Sequence, residues 1–253
     1  MNYQEMKEMV GALLEAGGFP TDEPLASVQR ITESHERIPP SAQDVCAYSW
    51  VLSSFGQWER AEAVARSITN DDDERGLALA ILAQKLATAG LLDRAERVAR
   101  LINDSPELTG VMVEKATALI AIASKFVQEG KPDRAMALLT AAELTAKQRQ
   151  HADHLQASLL GEIAATWMTV GQSERAIKLW DAAVDVARES IQAYRSGGTP
   201  DVDSWKALKI IARDLSVIGE NERAGAAMAL IDNVEWRERA VAELREVERE
   251  TGD

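Results

Sequence analysis

Three histidines and a single cysteine carry most of the chain's capacity for metal or nucleophilic chemistry. His151 and His154 lie three residues apart with Asp153 between them, so a helix would place both imidazoles on one face. A zinc or iron site needs three or four protein ligands. The nearest downstream acid, Glu162, lies eight residues beyond His154. The cluster therefore favours a polar helix start, and we predict no metal site and no cofactor.

Residues 70–74 read Asn-Asp-Asp-Asp-Glu and invite comparison with a cation site. The run lacks the alternating ligands and the central glycine of a calcium loop. Because it directly precedes an apolar periodic segment, we interpret it as a helix cap. Cys46 stands alone, which excludes an internal disulfide and a cysteine-based zinc cluster. The chain also has no nucleophile elbow and no glycine-rich phosphate loop, so we predict no catalytic residues and no enzyme activity.

The charge and the apolar pattern exclude further classes of protein. Forty-one acidic against 28 basic residues give a formal charge of −13, which opposes binding to phosphate backbones. The start lacks the basic-then-apolar order of a secretory signal, and no stretch reaches the roughly 18 apolar residues that a membrane helix needs. We predict a cytoplasmic protein, or the cytosolic part of a larger one, without nucleic-acid or membrane partners.

A hexapeptide of the form Gly-x-x-acid-Arg-Ala occurs five times and defines the elements that position these residues. Its glycines are spaced by 34, 40, 41 and 48 residues, at positions 56, 90, 130, 171 and 219. The residues 11, 8, 7 and 4 before each glycine are mostly apolar and share one helical face. The residue seven before is always small: Ser49, Ala83, Ala123, Ala164 and Ala212.

The apolar phase restarts at the alanine after each glycine, so each unit is predicted to be a helix, a tight glycine turn and a second antiparallel helix. The acid lies in the first turn of the second helix, where the helix dipole favours negative charge. Each unit's arginine follows that acid: Arg60, Arg94, Arg134, Arg175 and Arg223. We interpret these arginines as ion pairs between adjacent units, with a ligand-binding ladder as the alternative.

This turn motif, the small residue seven before the glycine and a spacing that starts at 34 residues resemble the tetratricopeptide repeat. The resemblance implies an all-α fold, an α-solenoid of antiparallel helical hairpins. It covers residues 41–231, with a degenerate hairpin or cap at 1–40 and a capping helix at 232–253. Bulky aromatic residues and closing prolines are rarer than in that family. We expect the 48-residue spacing to arise from a loop at 196–200, Ser-Gly-Gly-Thr-Pro.

The resemblance also implies that first helices line a concave groove, at 13, 10, 6, 3 and 2 residues before each glycine. These positions are uncharged in the first four units and basic in the fifth. The predicted groove residues are Gln43, Trp50, Leu77, Gln84, Ile120, Gln128, Met168, Lys206, Lys209 and Arg213. The expected partner is an apolar or amphipathic protein or peptide segment with an acidic portion near Lys206, Lys209 and Arg213.

The predicted function is therefore a non-catalytic protein–protein interaction module, a scaffold that holds a segment in its groove. A sensor or regulatory domain of a larger signalling or defence protein is the alternative. A more remote one is a metal-dependent helical-repeat enzyme, similar to HEAT-type hydroxylases that hold two irons with several His-Glu pairs. His35-Glu36 is one such pair, which is too few ligands for that site.

Overall fold

The computed structural model describes residues 42–69, 71–103, 109–148, 153–197 and 202–251. Within these ranges the chain forms eleven helices and no strand, so the predicted all-α class is confirmed. The predicted segment at 1–40 lies outside the described residues. The helices are α1 Ala42–Ser54, α2 Trp58–Ser67, α3 Asp72–Thr88, α4 Leu92–Ala99, α5 Thr109–Gln128, α6 Pro132–Lys147, α7 His154–Thr169, α8 Ser173–Gly197, α9 Val202–Val217, α10 Asn221–Ala229 and α11 Val234–Thr251.

The chain divides into two compact units, unit 1 at Met1–Ile122 and unit 2 at Ala123–Asp253, with the boundary inside α5. In unit 1, α1 pairs with α2 and α3 pairs with α4, and α3 also contacts both helices of the preceding hairpin. In unit 2, α7 pairs with α8 and α9 pairs with α10. Helix α9 contacts α7 and α8, and α11 packs mainly on α9.

Five glycine turns connect the paired helices as predicted. In each, the glycine adopts a left-handed conformation that a residue with a Cβ rarely takes. The residue after the glycine donates its backbone N–H to the carbonyl four residues before it, as in Leu91 to Leu86 at 2.9 Å. This bond satisfies a carbonyl that the end of the first helix leaves open. The φ values are 70° at Gly56, 78° at Gly90, 70° at Gly130, 82° at Gly171 and 84° at Gly219.

The small residues seven before each glycine are buried in the seams between helices. All five have no exposed surface. Where the other hairpins have alanine, Ser49 donates its hydroxyl to the carbonyl of Ala61 across the hairpin at 2.9 Å, so the polar group is satisfied inside the core. The predicted packing face is thus confirmed at these positions.

The arginine of the hexapeptide links successive hairpins in three places. In unit 1, Arg94 of α4 donates to Glu59 and Glu62 of α2. In unit 2, Arg175 of α8 pairs with Glu143 of α6 at 2.9 Å, and Arg223 of α10 with Asp181 of α8 at 3.2 Å. The predicted ion pairing between adjacent units is confirmed for these three arginines.

Two of these arginines stack on a bulky ring within their own hairpin. The guanidinium of Arg134 lies 4.0 Å from the ring centroid of Phe126, and that of Arg175 lies 4.1 Å from Trp167. The rings stand four residues before the glycine and the arginines four residues after it. Each pair therefore connects the two helices of a hairpin across its turn by a cation–π contact.

The predicted loop at 196–200 begins later than expected. Helix α8 runs for 25 residues and ends at Gly197, so Ser196 and Gly197 are helical. The long spacing between Gly171 and Gly219 therefore comes largely from an extended second helix rather than from a loop alone. The predicted terminal helix is confirmed as α11. Within the described ranges, no helix combines the length and the apolar character needed to cross a membrane.

Candidate functional site

The residues that suggested metal chemistry serve as helix caps. Asp71 accepts a hydrogen bond from the backbone N–H of Glu74 at 3.0 Å, and Asp153 accepts one from Gln156 at 2.8 Å. His154 is the first residue of α7, and His151 lies outside the described residues. Among the residues described, no three His, Cys, Asp or Glu side chains are grouped so that they could hold a metal ion.

A pocket of about 360 Å³ lies in unit 1, along three first helices of successive hairpins. Helix α1 contributes two residues, α3 contributes five and α5 contributes one. All are half-buried except the cysteine, which is buried. They are Cys46, Trp50, Glu74, Leu77, Ile81, Gln84, Lys85 and Glu114.

Polar contacts join the walls of this pocket. The Nζ of Lys85 on α3 lies 5.8 Å from the ring centroid of Trp50 on α1, within the range of a cation–π contact. The amide of Gln84 donates to Glu114 Oε2 of α5 at 3.3 Å. The side chains of three helices therefore fix the position of Trp50 and Glu114 at the pocket's surface.

The thiol of Cys46 has the most perturbed chemistry in the pocket. Burial, with the negative charge of Glu74 and a hydrogen bond to its side chain, raises the pKa of Cys46 to about 12. The nucleophilic form of cysteine is the thiolate. At neutral pH this side chain is a neutral thiol, and it does not supply a nucleophile to the pocket.

The pocket differs from the uncharged face that the sequence pattern predicted. Glu74 and Glu114 both line it, together with Lys85. The two carboxylates lie 16 residues before Gly90 and Gly130, one helical turn beyond the first position used in the groove prediction. Extending the face by one turn toward the start of each helix would have found both.

The predicted groove residues of unit 1 are only partly brought together. Trp50, Leu77 and Gln84 lie in the pocket. Ile120 is 7% exposed and offers little surface to a partner. Gln43 belongs to α1, but its side chain is outside the described part of the structure.

In unit 2 the predicted groove residues lie on three helices. Met168 is half-buried on α7, and Gln128, at the end of α5, is exposed and accepts from Lys125 Nζ at 3.1 Å. All three predicted basic residues belong to α9. They are Lys206, Lys209 and Arg213.

Each basic residue of α9 is paired with an acid of unit 2 itself. Lys206 contacts Asp203 at 2.8 Å, and Arg213 contacts Asp214 at 2.9 Å. Lys209 bridges to Glu243 of α11 at 2.9 Å. Their positive charges are therefore already compensated.

No protein-family model matches the chain, and no curated protein matches it. Among solved structures, it is similar to BtubC (BKLC) from P. vanneervenii, with a TM-score of 0.51 and 17% sequence identity over 90% of this chain and 93% of that one. It also aligns with Ton1535 from Thermococcus onnurineus NA1, with a TM-score of 0.33 and 15% identity over 96% and 90% of the two chains. The likeness to BtubC is one of all-helical fold.

Proposed function

We propose that the protein is a cytoplasmic, non-catalytic interaction module of the tetratricopeptide-like type, an α-solenoid with capping helices that holds a protein or peptide segment on the face of its first helices. The observation that carries this proposal is the unit 1 pocket, whose walls come from α1, α3 and α5. Successive first helices at a common face are the arrangement by which such repeats bind extended segments.

The dimensions and lining of the pocket suit side chains of a partner. Ligand pockets usually measure about 300–1,000 Å³ and combine apolar walls with a few placed polar groups. The unit 1 pocket, at about 360 Å³, offers Trp50, Leu77 and Ile81 beside Gln84 and two carboxylates. A half-buried tryptophan is also among the residue types that dominate binding energy at protein interfaces.

The α9 face of unit 2 remains a second, weaker candidate for the predicted acidic portion of a partner. Its lysines and its arginine already have acidic neighbours. A partner's carboxylate would have to replace those pairs, so binding there would gain little electrostatic free energy. The unit 1 pocket is accordingly the site that we propose to test first.

The test is selection of binding peptides from a random 12-residue display library on the purified chain. Selected peptides are then titrated against Leu77→Arg, which fills the pocket wall with a long charged side chain. Leu144→Arg is the matched control, because Leu144 lies in unit 2 and is 60% exposed. Thermal unfolding verifies that each variant is folded.

We expect selected peptides to bind the unmodified chain and Leu144→Arg equally, and to lose roughly tenfold or more of their affinity for Leu77→Arg. If no peptide is enriched, or if enriched peptides bind Leu77→Arg as well as the control, the proposed function is wrong at this site.

A further inference from the structure

The charges in the unit 1 pocket indicate what kind of side chain it receives. This inference rests on the proposed function. We infer that the pocket binds a basic side chain of a partner segment, an arginine or a lysine, with the cationic head near Glu74 and Glu114 and the aliphatic stem against Trp50, Leu77 and Ile81.

The first argument is that both carboxylates have neutral partners. Glu114 accepts from the amide of Gln84, and Glu74 interacts with the un-ionised thiol of Cys46. Among the residues that the structure describes, neither carboxylate has a lysine or arginine nitrogen within 4.0 Å. Half-buried carboxylates without a counter-charge form their strongest hydrogen bonds with an incoming cation.

The second argument is the apolar wall beside them. Arginine and lysine carry three or four methylene groups that pack on apolar surface while the charged head stays polar. Trp50, Leu77 and Ile81 supply that surface on α1 and α3. The Lys85 ammonium, 5.8 Å from the Trp50 ring centroid, shows that this ring already accommodates a cation.

The third argument is the electrostatic field. Two carboxylates and one ammonium give the pocket a formal charge of −1, within a chain of net charge −13. A concave surface of one dominant sign concentrates ligands of the opposite sign and accelerates their association. An acidic side chain would meet both the two carboxylates and this wider field.

The experiment uses three blocked tripeptides as probes: acetyl-Leu-Arg-Leu-amide, acetyl-Leu-Gln-Leu-amide and acetyl-Leu-Glu-Leu-amide. Binding is measured at low salt from the tryptophan indole N–H signals in proton–nitrogen NMR spectra of the full chain. Trp50→Phe assigns the Trp50 signal among the chain's six tryptophans. We expect the arginine probe to shift the Trp50 signal at the lowest concentration and the glutamate probe to have the least effect.

Three variants determine the sign of the interaction. Glu74→Gln with Glu114→Gln should weaken the arginine probe roughly tenfold or more, because both charge-assisted contacts are lost. Lys85→Met should strengthen it several-fold by removing a competing cation. Glu222→Gln with Glu238→Gln is the matched control, since it removes the same charge from exposed positions of unit 2 and should leave probe affinity nearly unchanged.

The inference is overturned if the glutamate probe binds more tightly than the arginine probe, if the double pocket variant binds the arginine probe undiminished, or if no probe shifts the Trp50 signal. The display selection separates the two proposals. Enriched peptides that depend on Leu77 but carry acidic or uncharged residues would refute the charge preference and still support segment binding.

Discussion

Each unit contains a lysine whose ammonium lies 5.8 Å from a tryptophan ring, and the two settings differ in where the nearby carboxylate is engaged. In unit 2, Lys209 contacts the ring of Trp236 and also bridges to Glu243 of α11. In unit 1, Lys85 contacts Trp50, while the pocket carboxylate Glu114 accepts from the neutral amide of Gln84.

The comparison shows that residue types alone do not determine whether a surface is available to a partner. In unit 2 the cation, the ring and the acid satisfy one another, and Trp236 also packs against Trp205 with centroids 6.2 Å apart. In unit 1 the same kinds of group leave two carboxylates without a described counter-charge. The first arrangement closes a surface, and the second leaves charge for a ligand.

The largest expected effect concerns Cys46, the neutral partner of Glu74. A thiol with a pKa of about 12 instead of 9.0 is roughly a thousandfold less ionised at pH 8.5. Alkylation by iodoacetamide at that pH should therefore be slower than in the urea-unfolded chain by that factor or more. Mass spectrometry follows the modification over time. Equal rates in the native and unfolded chains would show that the pocket does not suppress the thiolate.

The same pKa implies an alkaline weakness of the fold. Because the folded state favours the protonated thiol, this contribution to stability is complete below pH 9 and is lost as the pH rises from 9 toward 12. Each pH unit in that window costs about 1.4 kcal/mol of unfolding free energy. Urea titrations at pH 8 and 10 measure the loss, and Cys46→Ala should show a correspondingly smaller decline. A decline of equal size in that variant would contradict the assignment.

A second prediction compares the helix contacts behind the two faces. A Cβ added at Gly76 on α3 would lie 2.4 Å from Val111 Cγ1 on α5, whereas one at Gly161 on α7 would lie 3.2 Å from Ile211 Cγ1 on α9. Overpacking costs about 1–3 kcal/mol, and replacing a helical glycine by alanine gains about 1 kcal/mol.

We therefore expect Gly76→Ala to destabilise the protein by about 1–2 kcal/mol and Gly161→Ala to change its stability by less than about 0.5 kcal/mol. Urea unfolding of the two variants provides the measurement. The same order of effects would sharpen the contrast between the units. The reverse order would mean that α3 and α5 can separate more easily than α7 and α9.

The smallest effect is expected for Glu243→Gln, which removes the acid that contacts Lys209 in unit 2. An exposed ion pair of this kind contributes about 0–1 kcal/mol, so the unfolding midpoint should hardly move. The uncompensated lysine should then bind acetyl-Leu-Glu-Leu-amide more tightly than in the unmodified chain, as seen from the Trp236 indole signal. No gain in affinity would show that charge pairing is not what closes this surface.

The sequence predicted the hairpins well because their determinants are local. A glycine, an acid in the next helical turn and a small residue seven positions earlier describe one short structure, and the five glycines all adopt the expected conformation. The arginine pairs were predictable from their repeated position. The end of α8 was not, because the interior of a helix and its frayed last turn differ by less free energy than one glycine contributes.

The charge of the pocket was harder to predict, since it depends on which side chains of separate helices meet. Glu74 and Glu114 are 40 residues apart, and nothing in either local sequence shows that both line one pocket. Likewise, the basic positions Lys206, Lys209 and Arg213 gave no indication of their acidic neighbours. Lys209 and Glu243 are 34 residues apart and meet only because α11 packs on α9.

The glycine turns also govern the kinetics of folding. Each turn is closed by a hydrogen bond between residues five apart, as in Leu91 and Leu86, so closing it sacrifices little chain entropy. Contacts of such short range favour folding on the microsecond-to-millisecond scale. Joining one hairpin to the next requires contacts such as Arg94 to Glu62, 32 residues apart. The slow step in each unit is therefore the docking of preformed hairpins, and the left-handed glycines make their early formation possible.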